Sequence, residues 1–191
     1  EIEPAMVEAS RRFLPANRRA YDDPRSRLVI DDAKSFFAAS AEPFDLILSE
    51  PSNPWVSGVS SLFGTEFYQL VKRKLAPGGV FGQWLHLYEI DDALVLTVLA
   101  AVHRNFAAYD IFIVGNMDIL IVASDRALPA PDWSVFRAPR VAEDLARFVA
   151  FSPETLEATR FLRRDALAPI LEQGFPANSD YFPVLDAGAE R

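Results

Sequence analysis

The sequence predicts an α/β fold built on a mostly parallel sheet with a terminal antiparallel strand. Three observations predict it. Short apolar runs alternate with helical segments through residues 1–105, the pattern of strands joined by crossover helices. The run Leu46-Ile47-Leu48 is apolar without alternation, as in a strand covered on both faces. Residues 109–114 and 119–123 are strand-like runs joined through Gly115-Asn116, a hairpin-length connection.

Each element has a local reason. Residues 1–14 read as a strand end and a helix, with Pro4 in the first turn and Arg11 and Arg12 near the end that favours cations. After a polar loop, residues 27–30 (RLVI) read as a short strand ending at Asp31-Asp32. A helix over residues 33–39 follows, with Asp32 a candidate cap. Residues 44–49 form the next strand, which must stop because Pro51 and Pro54 cannot donate ladder hydrogen bonds. A Ser- and Gly-rich loop leads to a helix over residues 65–75, which Pro77-Gly78-Gly79 ends. Residues 80–85 are a strand, and Asp91 or Asp92 caps a helix reaching about Asn105. Beyond Asp125, Pro129, Pro131, Pro139 and Pro153 divide the chain; residues 141–151 and 153–164 look helical and 178–186 extended. The expected organisation is a partial sheet domain over residues 1–125 with a helical extension over 126–191 packed on it.

Composition narrows the function classes. The net charge of −8 argues against nucleic acid, which is held by Lys and Arg. There is no cysteine, and His86 and His103 are the only histidines, so no metal site is expected. The apolar helical run over residues 93–102 is too short to span a bilayer, which takes roughly 20 residues. The chain opens Glu-Ile-Glu-Pro, without Met or a signal peptide, and is expected to be a piece of a longer one.

Acidic residues mark successive strand ends at Glu1, Asp32 and Glu50. In open parallel sheets the crevice at that edge binds ligands, and carboxylates there hold hydroxyls, amino groups or a cationic centre. Helix capping is the alternative, for Asp32 above all. Ser52 and Asn53 follow Glu50 in the same loop, and Gln83, His86 and Tyr88 lie at the next strand end. His86 suits a general base but has no evident partner in the sequence. His103, inside an apolar helix, reads as structural, and Phe36, Phe37, Phe63, Phe67, Phe81 and Phe106 as core.

Several of these segments carry a resemblance. EIEPAMVEAS, IDDAKSFF, FDLILSEPSNPW and APGGVFGQWL resemble consecutive motifs of the polyamine aminopropyltransferases, the spermidine synthases. SEPSNPW with its Gly-Val-Ser-Ser-Leu-Phe continuation, the Gln-Trp-Leu-His-Leu-Tyr strand end and NSDYFPVLDAGAER resemble a bacterial branch often attached to a membrane-embedded region. The resemblance implies a Rossmann-like methyltransferase fold whose first strand and glycine-rich loop lie upstream of Glu1. It implies decarboxylated S-adenosylmethionine, or S-adenosylmethionine, as donor, and a small amine or polyamine as acceptor. Glu1 would hold the ribose hydroxyls, and Asp32 the adenine amino group with the Ala33 backbone nearby. Glu50 matches the catalytic aspartate, Asn53 a second loop aspartate, and Gln83 a pocket glutamine. Ser52, Trp55 and Tyr88 complete the expected acceptor side. The family's Asp-Ser-Ser-Asp is here Glu-Pro-Ser-Asn. Asn53-Pro54-Trp55 also resembles part of the motif of amino-methyltransferases, which leaves amine methylation as an alternative. A non-catalytic nucleoside- or polyamine-binding domain is a third. A cytoplasmic location, a linked membrane region and a homodimer are further expectations.

Overall fold

The computed structural model describes residues 1–54, 56, 58–146 and 152–189. The chain forms two compact units, Glu1–Glu42 and Pro43–Arg191. This division differs from the one expected at residue 125.

The first unit holds helices α1 (Pro4–Ser10), α2 (Arg19–Asp22) and α3 (Ala33–Ala39). Glu3 caps α1 through its carboxylate, which accepts from the Ala5 N–H at 2.8 Å. Asp32 caps α3, its Oδ1 accepting from the Ser35 N–H at 2.8 Å. Residues 27–30 form no strand, correcting the expectation. Two backbone bonds remain of it. The Glu1 amino group donates to the Val29 carbonyl at 3.1 Å and the Asp31 N–H to the Glu1 carbonyl at 3.0 Å. That is the bonding pattern of a parallel pair one bridge long. Phe36 and Phe37 meet edge to face, centroids 5.5 Å apart, and neither is fully buried.

The second unit is built on a five-stranded sheet in the order β1-β2-β4-β3-β5. Its strands are β1 (Phe44–Ser49), β2 (Leu75–His86), β3 (Ala108–Val114), β4 (Asp118–Ser124) and β5 (Arg160–Arg163). Its helices are α4 (Thr65–Lys74), α5 (Asp92–Asn105), α6 (Pro139–Ala146), α7 (Pro153–Ala158), α8 (Arg164–Leu171) and α9 (Val184–Ala189). Only β1 and β2 pair in parallel; the other three ladders are antiparallel. The expected mostly parallel sheet is therefore mixed. The cause is local: the hairpin turn at Gly115, φ +61°, forces β3 and β4 antiparallel, and β4 then offers its other edge to β2. Two strands oppose the others, β4 intercalated between β2 and β3 and β5 at the edge as the expected terminal antiparallel strand, and β1, β2 and β3 still run the same way.

Three further expectations change. β2 begins at Leu75, pairing with Phe44, and its register breaks across residues 76–79 before resuming at Val80. The Pro-Gly-Gly run is thus an irregularity inside a strand as well as a helix stop. Residues 160–163, read as helix, supply the edge strand β5. Leu46 and Leu48 are 54% and 69% exposed while Ile47 is 5% exposed, so β1 is covered on one face, not both.

The core lies on the covered face. Phe67 and Tyr68 of α4 meet Phe81 of β2, and Phe81 stacks on Phe106 with centroids 5.6 Å apart. Nearly every residue of α5 from Thr97 to Asn105 is buried. Burying each such large side chain contributes about 1.5–3 kcal/mol. Asp91 caps α5, its Oδ1 accepting from the Leu94 N–H at 2.8 Å. Helices α8 and α9 pack on α5, so the residues beyond 125 add both a strand and helices to this unit.

Candidate functional site

The candidate residues fall into one cluster in each unit. In the first, the bonds between Glu1 and residues 29 and 31 bring Glu1 beside Asp31-Asp32. Glu1 Oε1 accepts from the Glu3 N–H at 2.9 Å, and Asp31 Oδ1 from the Asp32 N–H at 2.8 Å. Asp32 uses one carboxylate oxygen, Oδ1, as a cap, as the capping alternative required. Ala33 opens the helix that Asp32 caps.

The second cluster stands at the shared end of β1 and β2. Ser49 and Gln83 are level in the parallel ladder, so the loop after Ser49 leaves the sheet beside the last residues of β2, which runs on to His86. Glu50 and Ser52 are exposed in that loop. Asn53 is tied to the neighbouring strand end: its Oδ1 accepts from the Tyr88 hydroxyl at 2.6 Å. Gln83 is fully buried beneath them. Its Nε2 donates to the Trp84 carbonyl at 3.1 Å and reaches the Ser49 carbonyl and Oγ at 3.3 and 3.4 Å. Its Oε1 is buried with no hydrogen-bond partner among the described residues. Trp55 lies outside the described residues.

His86 acquires the partner that its sequence context did not reveal. Its Nδ1 lies 2.6 Å from Asp118 Oδ1, and the two residues face each other in the β2–β4 ladder. The His86 ring is 5.2 Å from that of Tyr88. Asp118 went unnoticed because only the non-local pairing of β2 with β4 brings it there. His103 is structural, as expected: it is buried, with Nδ1 3.0 Å from the Tyr109 hydroxyl and Nε2 3.4 Å from Glu172 Oε1.

A separate crevice of about 620 Å³ lies against β3 and residues 127–131, lined by Phe112, Arg160 and Arg163 among others. It contains none of the candidate residues, and the chemistry is better sought at the β1–β2 edge. Among the described residues no group of three or more His, Cys, Asp or Glu could hold a metal ion, and no helix is long and apolar enough to cross a membrane.

The model of the spermine/spermidine synthase domain matches residues 1–116. The chain belongs to the spermine/spermidine synthase family. It is 38% identical over 92 residues to a spermidine synthase of Dictyostelium discoideum, covering 46% of this chain and 32% of that one. It is 44% identical over 82 residues to a polyamine aminopropyltransferase of Escherichia coli, covering 42% of this chain and 28% of that one. The match thus spans about a third of these relatives' length. The fold is similar to that of spermidine synthase from Thermotoga maritima, with a TM-score of 0.68 at 20% identity over 91% of this chain and 59% of that one. Human methyltransferase-like protein 13 in complex with SAH has a TM-score of 0.55 at 22% identity, over 81% and 72% of the two chains. The Rossmann-like methyltransferase fold class expected from the resemblance is therefore the observed one, with the strand directions corrected above.

Proposed function

We propose that the complete protein transfers an aminopropyl group from decarboxylated S-adenosylmethionine to a small amine or polyamine. The observation that carries this reading is the Tyr88–Asn53 bond, which ties the end of β2 to the Glu50 loop that leaves β1 beside it, in a chain of this family. Glu1 and Asp32, with the Ala33 backbone, are assigned to the nucleoside of the donor; Glu50 is assigned to the acceptor, which it orients or deprotonates. Ser52, Asn53, Trp55, Gln83 and Tyr88 shape the acceptor side, the Gln83 Oε1 being a buried acceptor for an N–H group. No metal is needed, because the sulfonium is its own leaving group.

Binding alone does not make the amine reactive. An ammonium with a pKa near 10.4 loses its proton at pH 7 at a cost of about 4–5 kcal/mol. A water-exposed carboxylate attracts it by about 1 kcal/mol at 4 Å, and that attraction favours the protonated form. An exposed Glu50 therefore serves chiefly to place the amine in line with the leaving sulfur. One acceptor site of the Asn53 amide oxygen is already taken by Tyr88, which supports aminopropyl transfer over the amine-methylating alternative.

The test is calorimetric binding of decarboxylated S-adenosylmethionine, S-adenosylmethionine and methylthioadenosine to the complete protein, followed by transfer assays with putrescine and spermidine. Preference for the decarboxylated donor and turnover are expected. Glu50→Gln should lower kcat/KM for the amine by about 10- to 100-fold, the worth of a charged hydrogen bond. Preference for S-adenosylmethionine would favour methylation, and binding without turnover a non-catalytic domain.

A further inference from the structure

Resting on that reading, we propose that His86, held by Asp118, is the group that takes the proton from the acceptor amine. The loop supplies one carboxylate, Glu50, where the family pattern has two, and it is exposed. What stands beside the loop instead is an imidazole–carboxylate pair, half-buried, with side chains 22% and 26% exposed.

The placement follows from the sheet. Phe81, Gln83 and Leu85 alternate onto the buried core face of β2, which turns Gly82, Trp84 and His86 to the other face. Asp118 lies directly opposite His86 on β4 and points to the same face. At 2.6 Å its carboxylate accepts the Nδ1–H, which fixes the tautomer and leaves Nε2 as the basic nitrogen. Among the described residues Nε2 has no hydrogen-bond partner, and the titratable groups touching the ring are Asp118 and Tyr88. Tyr88 binds Asn53, so two contacts lead from the dyad into the loop that carries Glu50.

The step balances without another reactant. Nε2 accepts one proton from the ammonium. The freed nitrogen lone pair forms the N–C bond as the C–S bond breaks. The bonding pair stays on sulfur, which leaves as a neutral thioether, and the positive charge passes to the product amine. The imidazolium returns its proton to water. Glu50 then places the amine and His86 deprotonates it, so one carboxylate need not do both.

The test is the pH dependence of aminopropyl transfer by the complete protein, with putrescine and spermidine as probe amines. Wild-type kcat/KM should show an ascending limb as pH rises, the signature of a general base that must be unprotonated. His86→Gln should lower kcat by about 10²- to 10⁴-fold and remove that limb. Asp118→Asn should lower kcat with the limb displaced. Methylthioadenosine affinity, measured by calorimetry, should be unchanged in both, which a merely structural role would not predict. A His86→Gln enzyme that keeps the wild-type limb and kcat overturns the proposal while leaving the transferase reading intact. If the wild type transfers to neither amine, that reading falls, and nitrogen-15 NMR of histidine-labelled protein decides the dyad separately. A proton on Nδ1 and a shift of Nε2 on adding spermidine support it; no response of His86 overturns it.

Discussion

Asn178 is 1% exposed and engages all four of its hydrogen-bonding groups. Its N–H donates to Thr97 at 3.1 Å, and its carbonyl accepts from Thr65 at 3.0 Å. Its Nδ2 donates to Ser60 at 3.0 Å, and its Oδ1 accepts from the Leu185 N–H at 3.2 Å. One residue thereby joins the start of α4, the middle of α5 and the start of α9. Asn178→Ala strands a buried carbonyl and a buried N–H, and should destabilise the fold by about 2–4 kcal/mol. Urea denaturation should show this as a lower midpoint at unchanged slope. The sequence located Asn178 within a motif without revealing this role, because its partners lie as far as 118 residues away. The same limit hid Asp118. Glu50, Asn53, Gln83 and Tyr88 were legible because two strand ends and two prolines mark that sheet edge locally.

Among the elements, β2 is where sequence rules and tertiary pairing diverge most. Lying between β1 and β4, it pairs Leu75 with Phe44, and the chain then detours through Gly78, φ +87°, before the ladder resumes. Two glycines of this strand should respond differently to a methyl group. A Cβ at Gly79 would meet the Phe44 and Ala76 carbonyl oxygens at 2.9 and 3.0 Å, both fixed backbone. A Cβ at Gly82 would clash only with the Leu48 side-chain tip, at 2.6 Å, its next neighbour being 3.7 Å away, and Leu48 is exposed enough to turn away. Gly79→Ala should therefore cost about 1–3 kcal/mol and Gly82→Ala less than about 1, compared by thermal unfolding. The helices α3 and α5 were legible from their caps, and α4 from its apolar spacing. β5 was not: four residues hold too little alternation to outweigh the helical pattern before it, and only β3 makes them a strand.

For the molecule as a whole, the buried Tyr109–His103 pair, with the exposed Glu172 at its outer end, sets a pH window. Burial, and then the nearby Arg164 guanidinium, push the His103 imidazole below its usual range. Burial pushes the Tyr109 phenol up to about 12. Both groups are favoured neutral in the fold. On the acid side the unfolded chain binds the extra proton, so stability falls as pH drops below about 6.5 towards the lowered native value. On the basic side the unfolded phenol ionises first, so stability falls as pH rises from about 10 towards the native value. Urea midpoints measured from pH 5 to 11 should form a plateau between these limits, and His103→Gln should flatten its acid shoulder. The intercalation of β4 also orders events in time. Its ladder with β3 closes across a three-residue turn, whereas its ladder with β2 must bridge the whole of α5. The β3–β4 ribbon can therefore form first and dock on β2 through β4 as a preassembled piece, while the outer edge of β3 stays open to β5 throughout.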